Sequence, residues 1–158
     1  MSLAAELSAL YTRDLTRLMQ EIAAFPTTES LWQTAPGISN SAGNLALHLE
    51  GNLREFIGRK IGGVAYTRER PLEFSSTGLS GQELAGRLAD LRAMIVTVLG
   101  ALEPADLDAL YPDAPLGRPQ TVRGFVLHLL THLNYHLGQI DYLRRFATGD
   151  GAIDLAGL

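Results

Sequence analysis

The sequence predicts an all-α protein built as a four-helix bundle, on three observations. Four long segments place their apolar residues at steps of three and four, the period of a helix with one buried face. No segment shows the apolar and polar alternation of a half-buried strand. All seven prolines fall between those segments or at their ends.

The first segment carries Leu7, Leu10, Tyr11, Leu15, Leu18 and Ile22. It predicts a helix over 3–24, about six turns long, ended by Pro26. Residues 27–41 hold Trp32, Pro36 and Gly37, and predict a loop with one short helical turn around Glu29 to Trp32. Trp32 is expected to be a packing anchor. Asn40 or Ser41 can cap a second helix that runs to Lys60, where Gly62 and Gly63 stop it. Leu45, Leu49, Leu53 and Phe56 form its buried stripe, flanked by a polar row of Asn44, His48, Asn52, Glu55 and Arg59. Such a row needs partners or solvent, because an unpaired buried polar group costs free energy.

Residues 61–79 have no sustained period and are rich in glycine and charge. They predict a long connection in which Tyr66, Arg68, Arg70 and Glu73 are placed to line the mouth of a site. Arg68 and Arg70 are the candidate cofactor-binding residues. A third helix opens on a capping box, Ser80 with Glu83, and buries Leu84, Leu88, Leu91, Ile95, Val98 and Leu102 before Pro104 closes it. Residues 105–120 make another long connection. Thr121 caps the last helix, which runs to Ala147 and ends at Thr148-Gly149-Asp150-Gly151. Residues 152–158 are expected to be a loosely packed tail.

A chain of 158 residues fits a single domain, 1–158, with a core that needs no staples. The absence of cysteine removes disulfides, thiolate metal sites and thiol nucleophiles, leaving histidine, carboxylate and water as the chain's own chemistry. A formal charge of -4 gives no basic footprint, so neither nucleic acid nor an anionic membrane is an expected partner. No apolar run approaches a membrane span, and Met1 to Glu6 lacks the basic and apolar regions of a signal peptide. The expectation is a soluble, cytoplasmic domain.

The predicted last helix carries His128, His132 and His136, each one turn beyond the last. Their stripe flanks the core face of Val122, Phe125, Leu129, Leu133, Ile140 and Leu143. Two imidazoles four residues apart can close on one metal ion. His128 and His136 are about 12 Å apart along the axis. They cannot share an ion held at about 2 Å. The chelating pair is therefore His128 with His132 or His132 with His136. His48, on the second helix, can supply a third nitrogen if the two helices are neighbours. Three imidazoles leave a coordination position for substrate or water. Gln139 and Asn52 are placed to hydrogen-bond to the imidazoles and orient them.

The runs Asn44-Leu45-Ala46-Leu47-His48-Leu49, Glu50-Gly51-Asn52-Leu53-Arg54 and His132-Leu133-Asn134-Tyr135-His136-Leu137-Gly138-Gln139-Ile140 resemble the DinB-like superfamily, which includes the YfiT-type proteins. The likeness covers nearly the whole chain. It implies an up-up-down-down bundle with two long crossover connections. It also implies a metal held by His48, His132 and His136, with His128 left as a packing histidine. Relatives are often homodimers, so the resemblance implies a dimer, although no exposed apolar stripe in the sequence demands one. Characterised relatives include bacillithiol-dependent S-transferases and a mycothiol-dependent maleylpyruvate isomerase.

The leading expectation is thus a divalent-metal-dependent transferase acting on a small molecule with a low-molecular-weight thiol of the bacillithiol or mycothiol type. Zinc is the first choice of ion, while nickel, copper and iron also suit three imidazoles. One alternative is a hydrolase in which hydroxide at the ion is the nucleophile and Glu55 the general base; Tyr135 is a second catalytic candidate. Another is a non-catalytic dimeric metal-binding bundle.

Overall fold

A computed structural model describes residues 2–153 of the chain. Hydroxyl caps start all four long helices. Ser2, Ser41, Ser80 and Thr121 each accept a hydrogen bond from the backbone amide three residues on, at 3.1–3.3 Å. The helices in chain order are α1 (Leu3–Ala23), α2 (Thr28–Trp32), α3 (Ala42–Leu53), α4 (Arg70–Ser75), α5 (Gly81–Gly100), α6 (Pro104–Asp108) and α7 (Val122–Thr148). The short helix α2 falls where one turn was expected. Helix α3 continues as a wider π-helical turn over Arg54–Arg59, in which the amide of Gly62 reaches the carbonyl of Ile57 at 2.9 Å. Gly149, at φ 75°, ends α7 in the left-handed conformation open to glycine.

The described residues contain no strand, and the fold is all-α. Helices α1, α3, α5 and α7 form the bundle, α1 and α3 each packing on both α5 and α7. Their apolar faces meet in one core that includes Leu15, Leu18, Leu49, Leu53, Leu88, Leu91, Leu133 and Ile140. Residue pairing fixes the directions. The Tyr11 hydroxyl donates to the Val126 carbonyl at 2.7 Å, and Arg144 donates to Glu21 at 2.5 Å, so α1 and α7 are parallel. Arg92 reaches Thr16 at 2.7 Å and Gly81 abuts the Ile22 carbonyl, so α5 runs against α1. His48 faces His132 while Phe56 faces Phe125, so α3 runs against α7.

The course is therefore up-down-down-up, which corrects the expected up-up-down-down order. The long segment 60–80 is responsible. It leaves α3 at Lys60 and returns along the outside of that helix to Leu79, whose carbonyl accepts from the Trp32 indole at 2.8 Å. It thus joins two parallel helices, whereas residues 24–41 and 101–121 each stay at one end of the bundle. Connection length alone carries no direction. The same segment holds α4, which the sequence pattern did not show, because one and a half turns are too short for a period. Helix α6 was missed within 105–120 for the same reason.

Trp32 is an anchor, as expected: its ring lies flat on Gly43, where an added Cβ would fall 2.6 Å from it. One departure concerns the surface. Tyr135, Tyr142 and Phe146 of α7 are 65%, 71% and 80% exposed, an apolar stripe that the sequence reading did not foresee. No helix among the described residues is long and apolar enough to cross a membrane. The tail expected at 152–158 falls largely on 154–158, outside the described residues.

Candidate metal centre

His48 projects from the middle of α3, and His132 and His136 project one turn apart from α7. Because the two helices run antiparallel, the three imidazoles meet between them. Nε2 of His132 lies 3.3 Å from Nε2 of His48 and 3.1 Å from Nε2 of His136. One ligand nitrogen from each of the three lies within 4.8 Å of the others. Two nitrogens bound to one tetrahedral ion at about 2.0–2.1 Å stand about 3.3 Å apart. The group can hold a metal ion as it stands.

The opposite edges of two of the rings are fixed. Nδ1 of His48 is 2.9 Å from Oε2 of Glu73, and Nδ1 of His136 is 2.7 Å from Oε1 of Gln139. An acceptor at Nδ1 places the proton there and leaves Nε2 as a lone pair. Both lone pairs then aim at Nε2 of His132. Nδ1 of His132 is buried and has no hydrogen-bond partner among the described residues. Lone pairs converging this closely repel unless a positive charge lies between them, so the donor set fits a cation.

Glu73 comes from α4 and is itself held. Arg68 grips its carboxylate from both sides, Nε to Oε1 at 2.6 Å and Nη2 to Oε2 at 2.9 Å. Burial alone would raise the Glu73 pKa, but the hydrogen bonds from Arg68 and His48 outweigh it and hold the carboxyl below its usual range. Gly51 leaves the space: a Cβ there would meet Oε1 of Glu73 at 2.2 Å. Asn44 docks the segment by donating to the carbonyls of Glu73 at 3.1 Å and Ser76 at 2.9 Å. Burial also lowers the pKa of His48 against the pull of Glu73. That of His132 is lowered to about 4, first by burial and then by His136 and His48. Both rings are neutral near pH 7, the state that binds metal.

A family model described as the DinB superfamily matches residues 10–140. The chain belongs to the DinB superfamily. Two solved structures share the fold. A DinB-like protein from Bacillus cereus ATCC 10987 is 22% identical, with a TM-score of 0.69 over 93% of this chain and 95% of that one. A conserved protein from Enterococcus faecalis is 20% identical, with a TM-score of 0.75 over 95% and 99%. No curated protein matches the chain.

Set in this superfamily fold, the other residues singled out by sequence take distinct places. Gln139 binds His136 as described. Asn52 is buried, its Oδ1 has no partner among the described residues, and it makes no hydrogen bond to the three histidines. Glu73 holds the ring edge of His48 instead. His128 stacks on Phe125 at 5.8 Å between centroids and stays outside the histidine group. Glu55 is ion-paired with Arg59, whose hydrogen bond lowers its pKa. Tyr135 sets its ring edge against His136 at 5.1 Å. Arg70 lies over the ring of Phe74 at 5.3 Å, and Phe74 packs on His48 at 5.0 Å. Glu73 was foreseen only at the mouth of a site, not as the partner of His48. Gly51, one turn beyond His48, together with Pro71 opening a helix before Glu73, is the signal that could have found it.

Proposed function

We propose that the chain is a divalent-metal-dependent enzyme, a transferase that joins a low-molecular-weight thiol to a small organic substrate. His48, His132 and His136 are the ligands, and zinc is the ion. The observation that supports this most is the convergence of three Nε2 atoms at 3.1–3.3 Å with two of the rings oriented from behind by Glu73 and Gln139. Such an ion, when bound, would lower the pKa of a thiol or water beside it. The remaining work falls to this chain's own groups. Glu73, charged and clamped by Arg68, keeps His48 facing inward and makes its Nε2 a better donor. Gln139 does the same for His136 without adding charge. Phe74 shields one side of His48 from water.

A hydrolase on the same ligands requires a general base, and Glu55 is a poor one because Arg59 stabilises its charged form. The absence of cysteine favours an outside thiol, since the chain has no sulfur nucleophile of its own. Such thiols are kept reduced in the cytoplasm, where we place the protein.

The test is elemental analysis of protein prepared without nickel chromatography, beside His48→Ala and His132→Ala, followed by thiol-transfer assays on zinc-loaded protein. One metal per chain, lost in both variants while helix content persists, is the expected result. Stoichiometric metal retained in His132→Ala would sink the ligand assignment. Metal-dependent turnover that needs no added thiol would replace the transferase with the hydrolase.

A further inference from the structure

A cavity of about 700 Å³ lies beside the histidine centre, between residues 35–40 and the C-terminal half of α7. Pro36, Ile38 and Leu45 face Tyr142, Leu143 and Phe146 across it, and no charged side chain among the described residues lines it. A second cavity of about 240 Å³ shares Ala35, Pro36, Leu143 and Phe146 with the first and continues to Phe25, so the two form one elongated trough. Its size is that of a small-ligand site, about 300–1,000 Å³.

The polar groups are few: Ser39, Asn40 and Gln139 in the larger cavity, Ser30, Gln33 and Thr34 in the smaller. Gln139 belongs to both the trough and the histidine centre. Its Oε1 is engaged by Nδ1 of His136 at 2.7 Å, and its Nε2 has no protein partner among the described residues. Tyr142 and Phe146 form the rim and are 71% and 80% exposed, an apolar area that a bound molecule would cover.

We propose that this trough binds an uncharged, elongated, largely apolar small molecule whose polar end lies at Gln139, and that this molecule is the organic substrate of the histidine centre. The assignment of the molecule as substrate rests on the metal-dependent function proposed above; the binding site itself does not. An ionised ligand is disfavoured because its charge would be placed against apolar walls that offer no counter-charge among the described residues.

The experiment is a fluorescence titration with N-phenyl-1-naphthylamine, a neutral apolar fluorophore, on metal-free and zinc-loaded protein. Ile38→Asp and Phe146→Asp are compared with it. Both side chains are exposed, so the fold survives, as circular dichroism will verify. Saturable binding of one probe per chain is expected in both forms. Each variant should weaken it at least about tenfold, because a charge in the trough must be desolvated, while zinc stoichiometry stays unchanged. In cobalt-loaded protein the probe should also shift the visible spectrum through Gln139 and His136. Unsaturable binding, or variants that bind as well as the parent, would overturn the site. A parent dimer that the two variants convert to monomers would overturn it too, by making the trough a contact between copies. Probe binding to a protein that takes up no metal would leave the trough standing and remove the metal-dependent function. Binding without any cobalt spectral change would remove only the link to the centre.

Discussion

Nδ1 of His48 lies 2.9 Å from a carboxylate, Oε2 of Glu73, that reaches it from a connection outside the bundle. The carboxylate therefore orients a proposed metal ligand with which it does not share a helix. Glu73→Gln keeps an acceptor near Nδ1 but removes the charge and loosens the Arg68 clamp. Zinc affinity, measured by competition with a chelator, should fall about 10–100-fold. Unchanged affinity would reduce the contact to a structural ion pair.

Gly51→Ala is a steric test of the same contact. Its Cβ would lie 2.2 Å from Oε1 and 2.9 Å from Cδ of Glu73, a carboxylate pinned by two partners. Alanine favours the helix by about 0.8–1.0 kcal/mol. Overpacking costs about 1–3 kcal/mol. A net loss of stability in urea unfolding, with weakened zinc binding, is expected. Adding Glu73→Ala should restore stability, and a double variant no better than Gly51→Ala alone would refute the clash.

Metal-free protein should lose stability on acidification. The His132 pKa is about 4 when folded, and an unfolded histidine titrates at about 6.5. Between these values the unfolded chain binds more protons. Stability is therefore full above the unfolded value and falls as pH drops from about 6.5 toward 4. Urea midpoints in EDTA at pH 7.5 and 5.0 measure this. His132→Asn should flatten the dependence, and equal slopes in parent and variant would exclude His132 as its source.

The pair Arg144 and Glu21 is 2% and 3% exposed, and Arg144 also donates to the Gly151 carbonyl at 2.9 Å. Arg144→Ala strands a buried carboxylate and should cost about 3–5 kcal/mol. The double change Glu21→Leu with Arg144→Met should be near neutral, by the same denaturant measurement. A strongly destabilised double variant would show that the pair adds stability beyond mutual neutralisation.

What the sequence made legible is whatever a single helix determines. The hydroxyl caps at Ser41, Ser80 and Thr121 and the apolar steps from Leu84 to Val98 depend on neighbours three or four residues away, and the structure has them. The relation of His132 to His136 is of that kind. The direction of α3 is not, because it depends on how residues 60–80 travel, and their charged, aperiodic sequence encodes no path. The partnership of Glu73 with His48 likewise spans 25 residues and exists only once α4 is docked. The exposed row on α7 was readable in principle: Tyr135, Tyr142 and Phe146 are seven and four residues apart, on a face away from Leu133 and Ile140.

The segment 60–80 has a kinetic consequence. From Ala65 to Leu79 no backbone amide of the segment donates to the bundle among the described residues; the side chains of Asn44 and Trp32 hold its carbonyls, and Glu73, clamped by Arg68, meets His48. A segment tethered this way can open while α1, α3, α5 and α7 stay folded. Amide exchange over residues 65–75 should then outpace that of the bundle helices. The traffic of ions into and out of the histidine group would be timed by this segment's opening rather than by global unfolding.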